Sequence, residues 1–407
     1  MDFLERFQQL DAWLNEHQAV WRARPFTQLQ LAWEQDWPEL SAFLRSRSLE
    51  QAEHSHNQPH LLDAPAPFAE LAAQSQLLSR VEDWSREPPM QLPELLTRNV
   101  PGRKWQQITR FADISKQRLP QPAQHWLDWC AGKGHLGRLL AFTSGQPLSC
   151  LEYDAALNEQ GRALSQQCGI QASHLDADVL SADSWLHLQP HHTPVALHAC
   201  GELHMSLLRQ SVVRGCGQLV LSPCCYNRIE TDRYQPLSTA GRRARLNLSK
   251  DDLGLPLLES VTAGQRVRRL RDQSMAWRLA FDLWQREARG VDSYLPTPAR
   301  PQSALNAGIS DFCRSFAAHH QLDLQEPTDW SALERRGWQR LAHVRNLELV
   351  GALFRRPLEI WLLLDRALFL QESGYCVQLG QFCPVSLTPR NLMLLAHKIT
   401  EQPAPSL

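Results

Sequence analysis

Asp128-Trp129-Cys130-Ala131-Gly132-Lys133-Gly134-His135-Leu136-Gly137 closes a short apolar run and opens a helical one. A strand that enters a glycine turn and leaves as a helix presents backbone N–H groups to electron-rich ligand atoms. Gly132 and Gly134 keep that approach free of Cβ atoms. Outward from the turn the same rhythm repeats. The runs 148–152, 170–175, 194–200 and 218–222 alternate with helical patterns over 135–142, 155–168 and 203–213. Strand–helix alternation of this kind specifies an α/β fold, a parallel sheet with helices on both faces. Ligands of such sheets bind at the carboxyl ends of the strands. Those ends here carry Asp128, then Glu152, then Asp178 (or Asp176), then His198 to Glu202, then Pro223-Cys224-Cys225. A carboxylate in the position of Glu152 accepts hydrogen bonds from ribose hydroxyls.

The regions outside this block are helical. Residues 1–98 alternate apolar and polar positions at helical spacing, interrupted by the proline-bearing 56–67 stretch. The expected organisation is an N-terminal helical region over 1–98, a core with the cofactor site over 99–229, an Arg-rich helical insertion over 230–354, and over 355–407 a long helix with the last strands of the sheet. A chain of 407 residues exceeds one ordinary core. At 43% hydrophobic and 21% charged residues it is not a disordered chain. The 42 basic and 43 acidic side chains leave a formal charge of −1, so no global field recruits nucleic acid or membrane, and any basic surface is local. Ten scattered cysteines without a CxxC pair read as free thiols. The acidic N-terminus does not read as a signal peptide, and apolar stretches such as 360–364 are too short to span a bilayer. A cytoplasmic protein is expected.

The 128–137 segment resembles motif I of the Rossmann-like methyltransferases that use S-adenosylmethionine. Carried over, Asp128, Cys130, Gly132 and Gly134 line the cofactor, Glu152 holds the ribose, and Asp178 with Val179 holds the adenine. Cys130 stands at the first glycine position, which argues against a dinucleotide pyrophosphate there. Adding 197-LHACGEL, 222-SPCCY, 364-LDR and 386-SLTPRN, the chain is similar to a little-characterised methyltransferase family with GKGHL, HxCG, PCCY, LDR and TPRN motifs. That family includes the methyltransferase domain of the glutathione S-transferase C-terminal domain-containing protein. The similarity covers about 100–228 and 355–400. It implies a Rossmann-like seven-stranded methyltransferase sheet with S-adenosylmethionine as cofactor, and places Lys116 where the family has a basic patch.

Cys200, Cys224 and Cys225 end adjacent strands on the face where a methyl acceptor would sit, and three readings stay open. Buried thiols pack as small hydrophobes. A metal site would draw on these cysteines with His198 and His204, but adjacent cysteines rarely give two bonds to one tetrahedral ion, and no metal is expected. The third reading is nucleophilic, because 221-LSPCCYNRIE resembles a segment of RNA cytosine-5 methyltransferases. Cytosine C5 becomes nucleophilic only after a thiolate adds at C6. The candidate catalytic residues are therefore Cys224, Cys225, Cys200 and His198.

The acceptor is expected to be RNA. Residues 240–271 hold eight bases against three acids, in 242-RRARLNLSK and 266-RVRRLR. Arginine forks match phosphate, and aromatic rings stack bases. Candidate substrate contacts are Tyr226, Asn227, Arg242, Arg243, Arg390 and Asn391, with Tyr234, Trp277 and Trp284 as further stacking rings. A protein or small-molecule acceptor, or a non-catalytic RNA- or protein-binding relative, stays open.

Overall fold

The computed structural model describes residues 2–85, 93–97, 100–258 and 265–399. The strands among them are β1 (Glu82–Asp83), β2 (His125–Trp129), β3 (Leu148–Glu152), β4 (Ala172–Asp176), β5 (His192–Cys200), β6 (Gln218–Cys224), β7 (Tyr375–Gln381) and β8 (Leu392–Lys398). They form one sheet in the order β1-β7-β8-β6-β5-β2-β3-β4. β2 pairs in parallel with both β3 and β5, whereas β8 runs antiparallel to β6 and β7. The chain steps from β2 outward to β4, then returns to place β5 on the other side of β2. That reversal opens a crevice at the carboxyl ends of β2 and β5.

β6 is buried at all seven positions and β2 at four of five. Strands covered on both faces read as unbroken apolar runs, and so these were legible. On one face the Gly102–Arg118 and His135–Ser144 helices bring Phe111, Ile114, Leu139 and Leu140 against Trp126, Val195, Val220 and Met393. The sheet has eight strands where seven were expected. The addition, β1, has two exposed acidic residues and no apolar alternation. It is held from outside itself: Trp84 N–H donates to Gln381 O at 2.9 Å, and the Trp84 ring lies over Gly380, where a Cβ would come within 2.3 Å of it.

The chain divides into two compact units. One takes Met1–Ala12, Ser79–Leu257 and Leu358–Leu407 and contains the sheet; the other takes Trp13–Leu78 and Leu258–Pro357. This differs from the expected segments. Residues 230–257 stay with the sheet because buried carboxylates hold them. Asp11 accepts from the N–H groups of Arg245 and Leu246, and Asp365 accepts from those of Leu237 and Ser238. The second unit is helical. Its Gln265–Arg289 and Trp330–Ala352 helices meet at Gly337, where a Cβ would come within 2.4 Å of Ala276 O. Trp277, Phe281, Phe312 and Phe316 fill its core. The expected boundary at 98/99, and the helix expected to continue through 86–92, lie outside the described residues. Among the described residues no helix is long and apolar enough to cross a membrane.

Candidate active site

β2 ends in a turn with three left-handed residues: Cys130 (φ 58°), Gly132 (φ 57°) and Gly134 (φ 68°). Such a conformation costs a non-glycine residue about 1–3 kcal/mol and persists where the surroundings enforce it, which is typical of ligand sites. A Cβ on Gly132 would meet nothing within 4 Å, so the turn leaves an open cradle there. The Glu152 carboxylate, at the end of β3, accepts from Gly132 N–H at 2.7 Å and from Asp154 N–H at 3.0 Å. Its remaining lone pairs suit ribose hydroxyls. At the next strand end Asp176 is occupied by Asn158 Nδ2 at 2.7 Å, while Asp178 is exposed and caps only its own turn through Leu180 N–H. Val179 is buried, with its carbonyl accepting from Trp185 Nε1 and Ser206 Oγ. The cradle, the carboxylates and the open turn fit S-adenosylmethionine.

Asp128 sits behind this surface. It is 3% exposed, and its Oδ2 accepts from Gly137 N–H at 2.9 Å, tying β2 to the helix that leaves the turn. Burial pushes its carboxyl up to about 7. Arg138, which no motif flagged, is also buried, and donates to Lys133 O at 2.6 Å within the turn and to Gly161 O at 3.3 Å. Tyr153, directly after Glu152, is 78% exposed.

At the end of β5 the register with β6 shifts between Leu197 and Ala199, and His198 takes a left-handed φ of 63°. Bulges beside active sites re-aim side chains in this way. His198 Nε2 lies 2.8 Å from Gln107 Oε1, and Gln107 Nε2 donates to Leu387 O at 3.2 Å. Arg103 donates to Leu387 O and Ser386 O. A proton on Nε2 satisfies Gln107 and leaves Nδ1 as an acceptor. Burial, reinforced by Lys104 and Arg390, pushes His198 down to about 4, so its ring is neutral at pH 7.

Cys200 and Cys224 are register partners across β5 and β6. Their Sγ atoms are 3.5 Å apart, and Cys224 Sγ is 3.1 Å from His198 O. Cys225 has a left-handed φ of 45°, and the three sulfurs lie within 4.8 Å of one another. Hydrogen bonding from Cys224, with further help from Cys225 and Arg228, pushes the Cys200 thiol down to about 6. Cys224, the proton donor of that pair and buried besides, is pushed far up, and burial raises Cys225. Gly201 (φ 50°, ψ −117°) completes the floor: a Cβ there would fall 1.9 Å from Arg228 O.

The structure separates the other expected contacts. Tyr226 is 1% exposed, its ring set edge-on to His204 and beneath the Arg366 guanidinium. It forms floor and offers no open face. Tyr234, Trp277 and Trp284 are likewise buried, so stacking on a base would require unpacking them. Asn391 is fully buried, donating to Gln381 Oε1 and Cys383 O. Arg390 reaches Leu257 O at 2.6 Å. Asn227 is partly exposed, and Arg242 and Arg243 are exposed. His204 is locked between Ala199 O and Arg366 Nε. The LDR segment is a buried brace: Asp365 also accepts from Tyr234 Oη, and Arg366 donates to Tyr234 Oη. Lys116 caps a helix end through Thr143 O. The lysine whose charge reaches Asp128, His135 and His198 is Lys104, which spacing alone could not place.

Residues 103–232 match the family model described as a methyltransferase domain, about a third of the chain. Among solved structures, one concerns the conversion of a disulfide bond into a thioacetal group during echinomycin biosynthesis. It is 18% identical, with a TM-score of 0.23, over 27% of this chain and 48% of that one. The chain thus spans about half the length of that neighbour. Another is coclaurine N-methyltransferase bound to N-methylheliamine and SAH, 12% identical with a TM-score of 0.27, over 84% of this chain and 96% of that one. At such scores the fold rests on the chain's own sheet order. Over residues 103–232 the chain is thus similar to a methyltransferase domain.

Proposed function

We propose that the chain methylates RNA, with Cys200 as the thiolate that activates a pyrimidine base. The observation that carries this reading is the gathering of Cys200, Cys224 and Cys225 at the ends of β5 and β6, one strand from the cofactor turn. Methyl transfer to nitrogen or oxygen needs no thiolate; transfer to cytosine C5 does. S-adenosylmethionine supplies an electrophilic methyl group. Cys200 Sγ adds to C6 of the base, which makes C5 the attacking carbon. His198, held neutral, takes the C5 proton, and the electron pair released at C5 expels Cys200 Sγ from C6, which frees the methylated base and restores the thiolate. Cys224 and Cys225 keep Cys200 ionised.

Local charge supports a polyanionic acceptor. Lys104 and Arg390 lie near His198, Lys133 near His135, and Arg228 near Cys200. Arg242, Arg243, Arg245 and Lys250 are exposed on the same unit. Such a local field attracts phosphates in a chain of near-zero net charge. Ten unpaired cysteines suit a reducing compartment, in keeping with a cytoplasmic location.

Radiolabelled methyl from S-adenosylmethionine, offered with cell extract and followed by parallel RNase and protease digestion, tests the reading. Label released by RNase and absent with Cys200→Ser supports it. Label released only by protease moves the acceptor to protein and removes the nucleophilic role from Cys200.

A further inference from the structure

Cys200 and Cys224 face each other at paired positions of two parallel strands. Neighbouring strands lie about 4.7–4.9 Å apart, inside the window of Cα separations that a disulfide spans. Their sulfurs are 3.5 Å apart, so a bond requires an approach of ~1.5 Å, within reach of side-chain rotation. The pair is also asymmetric. Cys200 is partly exposed and Cys224 is 5% exposed, so a small solute reaches Cys200 first with Cys224 behind it. Cys200 carries the thiolate character and Cys224 holds a proton, the arrangement of an attacking and a resolving thiol. Cys150, Cys216 and Cys313, by contrast, are kept protonated by burial.

We propose that Cys200 and Cys224 are a modification site for hydroperoxides, closing to a reversible disulfide that stops methyl transfer by consuming the Cys200 thiolate. The bridge stands on the strand register and the sulfur separation, with the thiolate character of Cys200 deciding which sulfur reacts first; its effect on activity rests on the proposed function above. In the first step Cys200 S⁻ attacks a peroxide oxygen. The O–O bond breaks, an S–O bond forms, sulfur is oxidised by two electrons, and hydroxide leaves. Cys224 sulfur then attacks the sulfenic sulfur, the S–O bond breaks, and the Cys224 proton leaves with the hydroxide as water. Overall, two thiols and one hydrogen peroxide give one disulfide and two waters. A dithiol reductant reverses it by exchange.

The test uses the full chain and hydrogen peroxide, quenched with iodoacetamide, digested without reduction and mapped by mass spectrometry. The expected result is a cross-linked pair of peptides containing Cys200 and Cys224, two hydrogens lighter than the free pair and released by dithiothreitol. Methyl transfer to RNA should fall at least tenfold and return on reduction. In Cys224→Ala that bridge is absent and dimedone labels Cys200. Complete alkylation of both thiols after peroxide would overturn the proposal. So would one zinc per chain retained through peroxide treatment, because metal-bound thiolates are not free to pair. A bridge that leaves methyl transfer unchanged overturns the switch. A chain that forms the bridge yet labels no RNA before or after reduction overturns the RNA reading and leaves the bridge standing.

Discussion

Two residues carry most of the site's electrostatic character. Cys200, with its thiol pushed down to about 6, is largely ionised at pH 7. Alkylation of Cys200 by iodoacetamide, mapped by peptide mass, should rise with a midpoint near pH 6, while Cys150 and Cys313 stay unmodified in the folded chain. Cys200→Ser should lower methyl transfer at least about a hundredfold while changing cofactor affinity less than twofold, since serine keeps the shape and loses the nucleophile. Asp128 behaves oppositely. Its carboxyl, raised from 3.8 to about 7 by burial, keeps a proton in the folded state where an unfolded chain has lost it. Its contribution to stability is therefore full below about pH 4 and is lost as pH rises through about 7. Asp128→Asn retains an acceptor for Gly137 N–H and removes that titration. Its melting temperature should depend less on pH between 4 and 7.5 than that of the unmodified chain. An unchanged slope would show that Asp128 is ionised throughout.

At the scale of elements, the catalytic end of the sheet is shaped by loops pressed against strand ends. The 225–228 turn crosses so close to Gly201 that its carbonyl accepts from Glu202 N–H at 2.8 Å. Gly201→Ala would place a Cβ into that carbonyl at a backbone conformation reserved for glycine, and should cost about 2–4 kcal/mol. Chemical denaturation would show it. Asp365 is the corresponding anchor for 234–238, with both oxygens buried and each accepting twice: Tyr234 Oη and Leu237 N–H on one, Ser238 N–H and Oγ on the other. Asp365→Ala leaves four buried donors unsatisfied and should cost about 3–5 kcal/mol. Equal stability of that variant would mean that the loop repacks without it.

At the scale of the whole molecule, a chain with a formal charge of −1 can hold RNA only through a local field. If Lys104 and Arg228 belong to that field, RNA association should weaken as salt rises. Lys104→Glu with Arg228→Glu should reduce the slope of log K against log salt by about 0.7 for each phosphate contact removed. A slope unchanged in the double variant would place the phosphate path elsewhere, with the exposed arginines of 242–245 or 266–271 as the next surfaces to reverse.

The order of strands and helices across 125–224, the glycine turn after β2, and the collection of polar and thiol side chains at strand ends were legible in the sequence itself. Those follow from local patterns: apolar runs of strand length, helical periodicity, and glycine where a Cβ would intrude. Which of those side chains turn inward and which stay open at the strand ends was set by tertiary packing. Asp128 turned inward to Gly137, Lys104 rather than Lys116 faced the site, and the tyrosines and tryptophans marked for stacking were spent on the core. The low-pKa thiol became Cys200 rather than either member of the Cys224-Cys225 pair. Each outcome depends on a neighbour supplied from elsewhere in the chain. Gln107 is 91 positions from His198 and Cys224 is 24 from Cys200. Burial, hydrogen bonding and charge act through space, and one-dimensional spacing carries none of those distances.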